Sequence, residues 1–232
     1  MSPISPIGPI SPISPMIIKV CGMREAENIR EVEQLSILHS LQAKRASSSA
    51  QFSINWMGFI FWPKSSRYVS KKPDYLPTNC KRVGVFVDED IEKVKHIADD
   101  YALDYIQLHG HESPDYCVQL KGMHLIKAFN IATKDDLEAT KPYEGLVDYF
   151  LFDTKGKSVG GNGEKFDWTV LDAYQGDTPF LLSGGIGPDD AERVKAFHHP
   201  KCIGIDLNSR FETAPAIKDI NKLKEFIKTV RI

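Results

Sequence analysis

KRVGVFVDEDIEKVKHIADDYALDYIQLHG, residues 81–110, contains a strand, a helix and a second strand in succession. KRVGVFV (81–87) and YIQLH (105–109) are short and rich in β-branched, aliphatic and aromatic residues, as strands are. Between them, EDIEKVKHIADDYA (89–102) places Ile91, Val94, Ile97, Ala98 and Tyr101 on one helical stripe. Such a strand–helix–strand unit favours parallel strands with the helix packed on one face.

The rhythm extends in both directions. Further strand patterns are IIKVC (17–21), INWMGFIF (54–61), HLIKAFN (124–130), VDYFLFD (147–153), PFLLS (179–183) and CIGIDL (202–207). Most are too apolar for a sheet wetted on one side, so they are expected to be buried on both faces. Helices are predicted over about 24–38, 113–121, 132–141, 166–174, 188–197 and 216–230. SKKPDYLP (70–77) holds two prolines and leaves room for a turn or so of helix. Eight strands alternating with helices or short connectors predict an α/β fold, a (β/α)8 TIM barrel, over 16–232, with an open doubly wound sheet as the rival.

Two segments stand outside this rhythm. MSPISPIGPISPISP (1–15) has proline at every third position and is read as a disordered tail, with Met16 directly before the first strand. HSLQAKRASSSAQFS (39–53) reads as an exposed loop on the bottom face of the barrel, away from any chemistry.

Composition excludes several functions. Net charge is −2 and 42% of the 232 residues are hydrophobic, so the chain can bury a core and lacks the basic excess of a nucleic-acid binder. No apolar run spans a bilayer and no secretory signal is visible, so no membrane partner is expected. Cys21, Cys80, Cys117 and Cys202 form no CxxC pair. The simplest reading is free thiols in a cytoplasmic protein, with no metal. No apolar surface stripe forces a dimer, which favours a monomer.

In a barrel of this kind chemistry sits at the C-terminal ends of the strands. Those positions hold Cys21-Gly22, Arg67, His109, Asp153 with GGNG (160–163) beyond it, Ser183-Gly184-Gly185, and Asp206 with Asn208 and Ser209. Glycines and helix starts after the last two strands suit a phosphate. Gly184 and Gly185 also suit a plain tight turn, and pairing with the last loop favours the anion. Cys21 and Asp153 can flank a ligand across the mouth, one as thiolate base and the other as acid, a role that asks for a lowered thiol pKa. Cys21 as a small buried hydrophobe and Asp153 as a cap stay open as alternatives. So do an ordinary exposed Arg67 and a His109 that merely ends its strand.

KVCGMRE (19–25), MGFIFWPKSSRYV (57–69), VGVFVDE (83–89), IQLHGHES (106–113), LFDT (151–154), GGNGEKFDW (160–168), LSGGI (182–186) and GIDLNSRFE (204–212) together resemble, in order, the signatures of phosphoribosylanthranilate isomerase. The resemblance implies an Amadori rearrangement of N-(5-phosphoribosyl)anthranilate in tryptophan biosynthesis, without metal or organic cofactor. It implies Cys21 as general base, Asp153 as general acid and Arg67 as the contact for the anthranilate carboxylate, while His109 is a substrate-contact candidate from its place at a strand end. Phosphate contacts would fall on Gly161, Gly163, Gly184, Gly185, Asp206, Asn208 and Ser209. Arg210 departs from the family, which often has glycine there; the tail and the 39–53 segment depart too. Competing readings are another phosphosugar isomerase or synthase on the same barrel, and a binding protein that keeps only the phosphate site. Cys21 argues against the first, and Cys21 with Asp153 against the second.

Overall fold

The computed structural model describes residues 16–43, 54–154 and 167–231. Eight strands form a closed barrel in sequence order: β1 (Ile17–Cys21), β2 (Trp56–Ile60), β3 (Lys81–Phe86), β4 (Tyr105–Leu108), β5 (Leu125–Ile131), β6 (Tyr149–Thr154), β7 (Phe180–Ser183) and β8 (Cys202–Leu207). All neighbours are parallel, and β8 closes on β1 with Ile17 opposite Gly204 and Lys19 opposite Asp206. The architecture is therefore the (β/α)8 barrel and not the open sheet.

The helices follow local chemistry. α2 (Ile91–Tyr101) starts where Asp90 accepts from the backbone N–H groups of Glu92 and Lys93. α3 (Pro114–Gln119) starts where Ser113 caps Tyr116, with proline in the first turn. α1 runs Ala26–Ala43, beyond the expected end at 38, because residues 39–43 contain no glycine or proline to stop it. The rest of that expected loop, 44–53, and the tail 1–15 lie outside the described residues.

Four helix expectations need correction. Residues 134–143 and 168–173 are 3-10 stretches, not α-helices. The first carries Pro142, which lacks the N–H a longer helix needs. Residues 188–190 are a 3-10 turn leading into α4 (Ala191–Ala196). The last helix begins at 220, not 216: Asp219 caps α5 (Ile220–Val230), while β9 (Glu212–Ala214) and β10 (Ile217–Lys218) pair as a small antiparallel hairpin. That hairpin brings Lys218 to the barrel mouth.

Period-two alternation divides the barrel strands into two faces. Trp56, Val83, Ile126, Ala128, Leu151 and Leu181 fill the lower interior, with Trp56 stacked on Tyr105 at 4.6 Å between ring centroids. Outward residues such as Val20, Phe59, Phe150, Phe152 and Phe180 join the core beneath the helices, where α5 contributes Leu223, Phe226 and Ile227. Each such buried side chain contributes on the order of 1.5–3 kcal/mol. The interior face of β1 continues upward through Lys19 to Cys21, so the same alternation that fills the base of the barrel aims these two at the mouth.

Candidate active site

Cys21 ends β1, is 4% exposed, and lies opposite Gly58 of β2. A β-carbon on Gly58 would stand 2.7 Å from Cys21 Sγ, so only glycine leaves room for the sulfur. Next along the chain, Gly22 has φ of 80°, and a β-carbon there would stand 2.7 Å from Arg67 Cδ, 2.8 Å from Asn208 Oδ1 and 3.4 Å from Lys218 Nζ. Both glycines are therefore required by close approach, and both make the wall of the same cluster.

The cluster is ionic. Lys19, fully buried, donates to Asp206 at 2.8 Å, and Ser183 Oγ donates to the other Asp206 oxygen at 3.2 Å. Arg67 grips Glu212 two-pronged, with Nε at 2.8 Å and 3.0 Å from its oxygens and Nη2 at 2.6 Å. Lys218 Nζ reaches the same Glu212 at 2.6 Å and Asn208 Oδ1 at 2.9 Å. Burial would raise the Glu212 carboxyl, but hydrogen bonds from Arg67 and Lys218 outweigh it and hold the carboxyl low. Burial pulls Lys218 down, against the pull of Glu212. Burial also opposes the charge on Lys19, yet attraction to Asp206 and to Cys21 leaves it raised.

The thiol does not follow the expected direction. Burial pushes Cys21 up; Lys19 pulls it down, Asp206 pushes it further up, and Lys218 pulls it down again. Its pKa is raised, not lowered, because burial takes the sulfur out of water and the neighbouring cations do not make up the difference.

Asp153 stands one residue before the end of β6, three strands from β1 by the shorter way round, and is paired in register with Asn130 of β5 and Ser183 of β7. His109 follows β4, with Nε2 at 3.7 Å from Asp153 Oδ2. Gln107 Nε2 lies 2.9 Å from His109 Nδ1. A neutral ring that accepts at Nδ1 from this amide carries its proton on Nε2, towards Asp153. This contact places His109 in the mouth beside the carboxylate, beyond simply ending its strand.

On the phosphate side, Gly184 and Gly185 both have positive φ, 93° and 66°, and a β-carbon on Gly185 would meet open space. Asn208 is partly buried and engaged with Lys218, while Ser209 is exposed. Arg210 lies along the same loop pair, its Nε 3.2 Å from where a β-carbon on Gly187 would stand. Asp206 must be reassigned: its buried carboxylate holds Lys19 and Ser183, and its charge would repel a phosphate. Gly161 and Gly163 lie outside the described residues. Among the described residues, no group of three or more His, Cys, Asp or Glu side chains is placed to hold a metal ion.

The sequence reading missed Lys19, Glu212 and Lys218. Lys19 left a signal, a cation in mid-strand among apolar neighbours, two positions before Cys21 on the same face. Lys218 left none, since its segment reads equally as the first turn of a helix.

Comparison with known proteins identifies the family. The family model for N-(5'phosphoribosyl)anthranilate (PRA) isomerase matches residues 20–229. The N-(5'-phosphoribosyl)anthranilate isomerase of Parabacteroides distasonis is 52% identical over 223 residues, covering 93% of each chain. The crystal structure of phosphoribosyl anthranilate isomerase from Thermotoga maritima is 28% identical, with a TM-score of 0.70 over 93% of this chain and 98% of that one. Another crystal structure of the enzyme, in complex with reduced 1-(o-carboxyphenylamino)-1-deoxyribulose 5-phosphate, is 27% identical with a TM-score of 0.68, covering 93% and 98%. With a matching family model over nearly the whole barrel and a close relative at half identity, the chain belongs to the N-(5'-phosphoribosyl)anthranilate isomerase family.

Proposed function

We propose that Cys21 and Asp153 are the base and acid of the Amadori rearrangement that converts N-(5'-phosphoribosyl)anthranilate to 1-(o-carboxyphenylamino)-1-deoxyribulose 5-phosphate, the isomerase step of tryptophan biosynthesis. The carrying observation is their placement at the ends of β1 and β6 of one closed barrel, facing a common mouth. Asp153, protonated, gives its proton to the ribose ring oxygen as the C1–O bond breaks, and the ring opens to a protonated Schiff base. The Cys21 thiolate takes the proton from C2, and those electrons move into the C1–C2 bond while the C=N pair returns to nitrogen. The enolamine then tautomerises to the ketone, with C1 gaining a proton and the C2 hydroxyl losing one.

Arg67 is the candidate contact for the anthranilate carboxylate. Glu212 holds its Nε and Nη2, which fixes the guanidinium plane and leaves Nη1, 3.5 Å from Ser66 Oγ, as the edge offered to a ligand. His109 is a substrate contact beside Asp153. Gly184, Gly185, Asn208 and Ser209, with Gly161 and Gly163, are the candidate phosphate contacts. The ligand of the related crystal structure, a phosphorylated carboxyphenylamino sugar, has the two anionic ends this arrangement requires.

We read the protein as a cytoplasmic monomer. Four free cysteines support a reducing compartment, and Val118 is the only large apolar side chain that stands exposed among the described residues. No described helix is long and apolar enough to cross a membrane. Turnover followed by loss of phosphoribosylanthranilate fluorescence tests the function. Activity lost in both Cys21→Ala and Asp153→Asn supports it, and absence of turnover in the wild-type chain would refute it.

A further inference from the structure

We propose that Lys218 is a positioning residue which, together with Lys19, makes the Cys21 thiolate accessible inside a buried site. The inference rests on Cys21 being the base and adds what allows a sulfur shut away from water to act as one.

The argument begins with a charge count. The groups packed around the end of β1 are Lys19 on its own strand, Asp206 on β8, Arg67 after β2, Glu212 on β9 and Lys218 on β10. Three cations face two carboxylates, which leaves one positive charge in excess while the sulfur is a thiol. Ionising Cys21 removes that excess. Asp206 is matched to Lys19 and Glu212 to Arg67 by short pairings. Lys218 is the cation left over: it shares Glu212 with a guanidinium that already grips both oxygens, and its other partner, Asn208, is neutral.

Location supports the same assignment. The Lys218 side chain is entirely buried, and its Nζ sits 3.4 Å from where a β-carbon on Gly22 would stand, one residue from Cys21. A buried ammonium that shares its one carboxylate with a guanidinium is only partly compensated, and the thiolate is the group able to supply the remaining counter-charge. The hairpin that delivers Lys218 is locked from behind: Asn28 of α1 donates to Lys218 O at 3.0 Å and accepts from Lys218 N at 2.7 Å. The ammonium is thereby held where a flexible surface lysine would not stay. At Cys202, where backbone hydrogen bonds alone oppose it, burial pushes the thiol up to about 11.

The test reads ionisation of one sulfur without using turnover. Ultraviolet absorbance of the thiolate is titrated against pH in the full chain, and the same titration in a Cys21→Ala partner of each variant is subtracted. Lys218→Met removes the surplus cation and should move the Cys21 midpoint up by at least about one pH unit, a tenfold lower thiolate fraction at neutral pH. Glu212→Gln removes a carboxylate from the same cluster and should move it down. Opposite shifts from two neighbouring residues are not produced by a general loosening of the mouth. An unshifted midpoint in folded Lys218→Met, or a Glu212→Gln midpoint that stays or rises, would overturn the proposal. If Lys218→Met does not fold, the direction in Glu212→Gln decides alone. Failure of Cys21 as base would instead appear as retained turnover in Cys21→Ala, so the two outcomes remain separate.

Discussion

The two sides of the barrel mouth solve different problems. Around Cys21 the structure is closed and ionic, with the residue 4% exposed and the Lys19–Asp206 and Arg67–Glu212–Lys218 groups packed against it. Around Asp153 it is more open: the carboxylate side chain is 17% exposed, and its ionisable neighbour is His109 at 3.7 Å. A thiol loses its charge on burial unless cations are supplied, so the base side must be built of charges. An acid that hands its proton to a ring oxygen needs access to the ligand and a neighbour that steadies it, which one imidazole provides.

This contrast can be broken by substitution. The largest effects belong to the two proton carriers: Cys21→Ala and Asp153→Asn should each lower the rate constant by at least about 100-fold, with ligand affinity changed far less. The defects should differ in kind, the aspartate variant leaving the ring closed and the cysteine variant permitting opening. Steady-state rates with calorimetric binding of a product analogue separate the two parameters.

A smaller effect belongs to the clamp. Arg67→Ala should weaken binding of anthranilate-bearing ligands by about 2–3 kcal/mol, the scale of a lost charge-assisted pair, and lysine should restore part of it because it lacks the fork. Unchanged affinity by calorimetry would remove Arg67 from the substrate contacts.

Acid stability sharpens the same comparison. The Glu212 carboxyl is lowered in the folded chain, because the bonds from Arg67 and Lys218 exceed the opposing effect of burial. A lowered carboxyl stabilises the fold above its unfolded value of about 4.3, and that stabilisation is lost as pH falls through the folded value. Thermal melts over that acid range should therefore fall less steeply in Glu212→Gln than in the wild type. Equal slopes would show that the clamp does not couple protonation to folding. The smallest effect is expected at the N-terminus, where a chain starting at Met16 should turn over unchanged, since a proline at every third position offers few packing contacts.

Much of the barrel was legible because its strands are apolar and short. IIKVC (17–21) and CIGIDL (202–207) appear as β1 and β8 with the same limits, and their pairing closes the ring. The helices were less legible, since the stretches 134–143 and 168–173 carry helical residues yet form 3-10 turns in short connections. In the site, strand ends pointed to Cys21, Arg67, His109 and Asp153, and the resemblance gave them roles. The ionic partners were hidden by distance along the chain: Arg67 meets Glu212 across 145 residues and Lys19 meets Asp206 across 187. Asp206 looked like a phosphate contact for the same reason, because nothing local reveals that a lysine from the opposite end of the chain already holds it.

Exchange of the substrate C2 proton with solvent tests the central claim most directly. Cys21→Ala, given phosphoribosylanthranilate in deuterated water and followed by nuclear magnetic resonance, should neither lose the C2 proton nor form product deuterated at C1 above the uncatalysed rate, while the wild type loses the C2 proton and gains deuterium at C1 during turnover. Exchange and turnover at the wild-type rate in Cys21→Ala would contradict the assignment of Cys21 as the base.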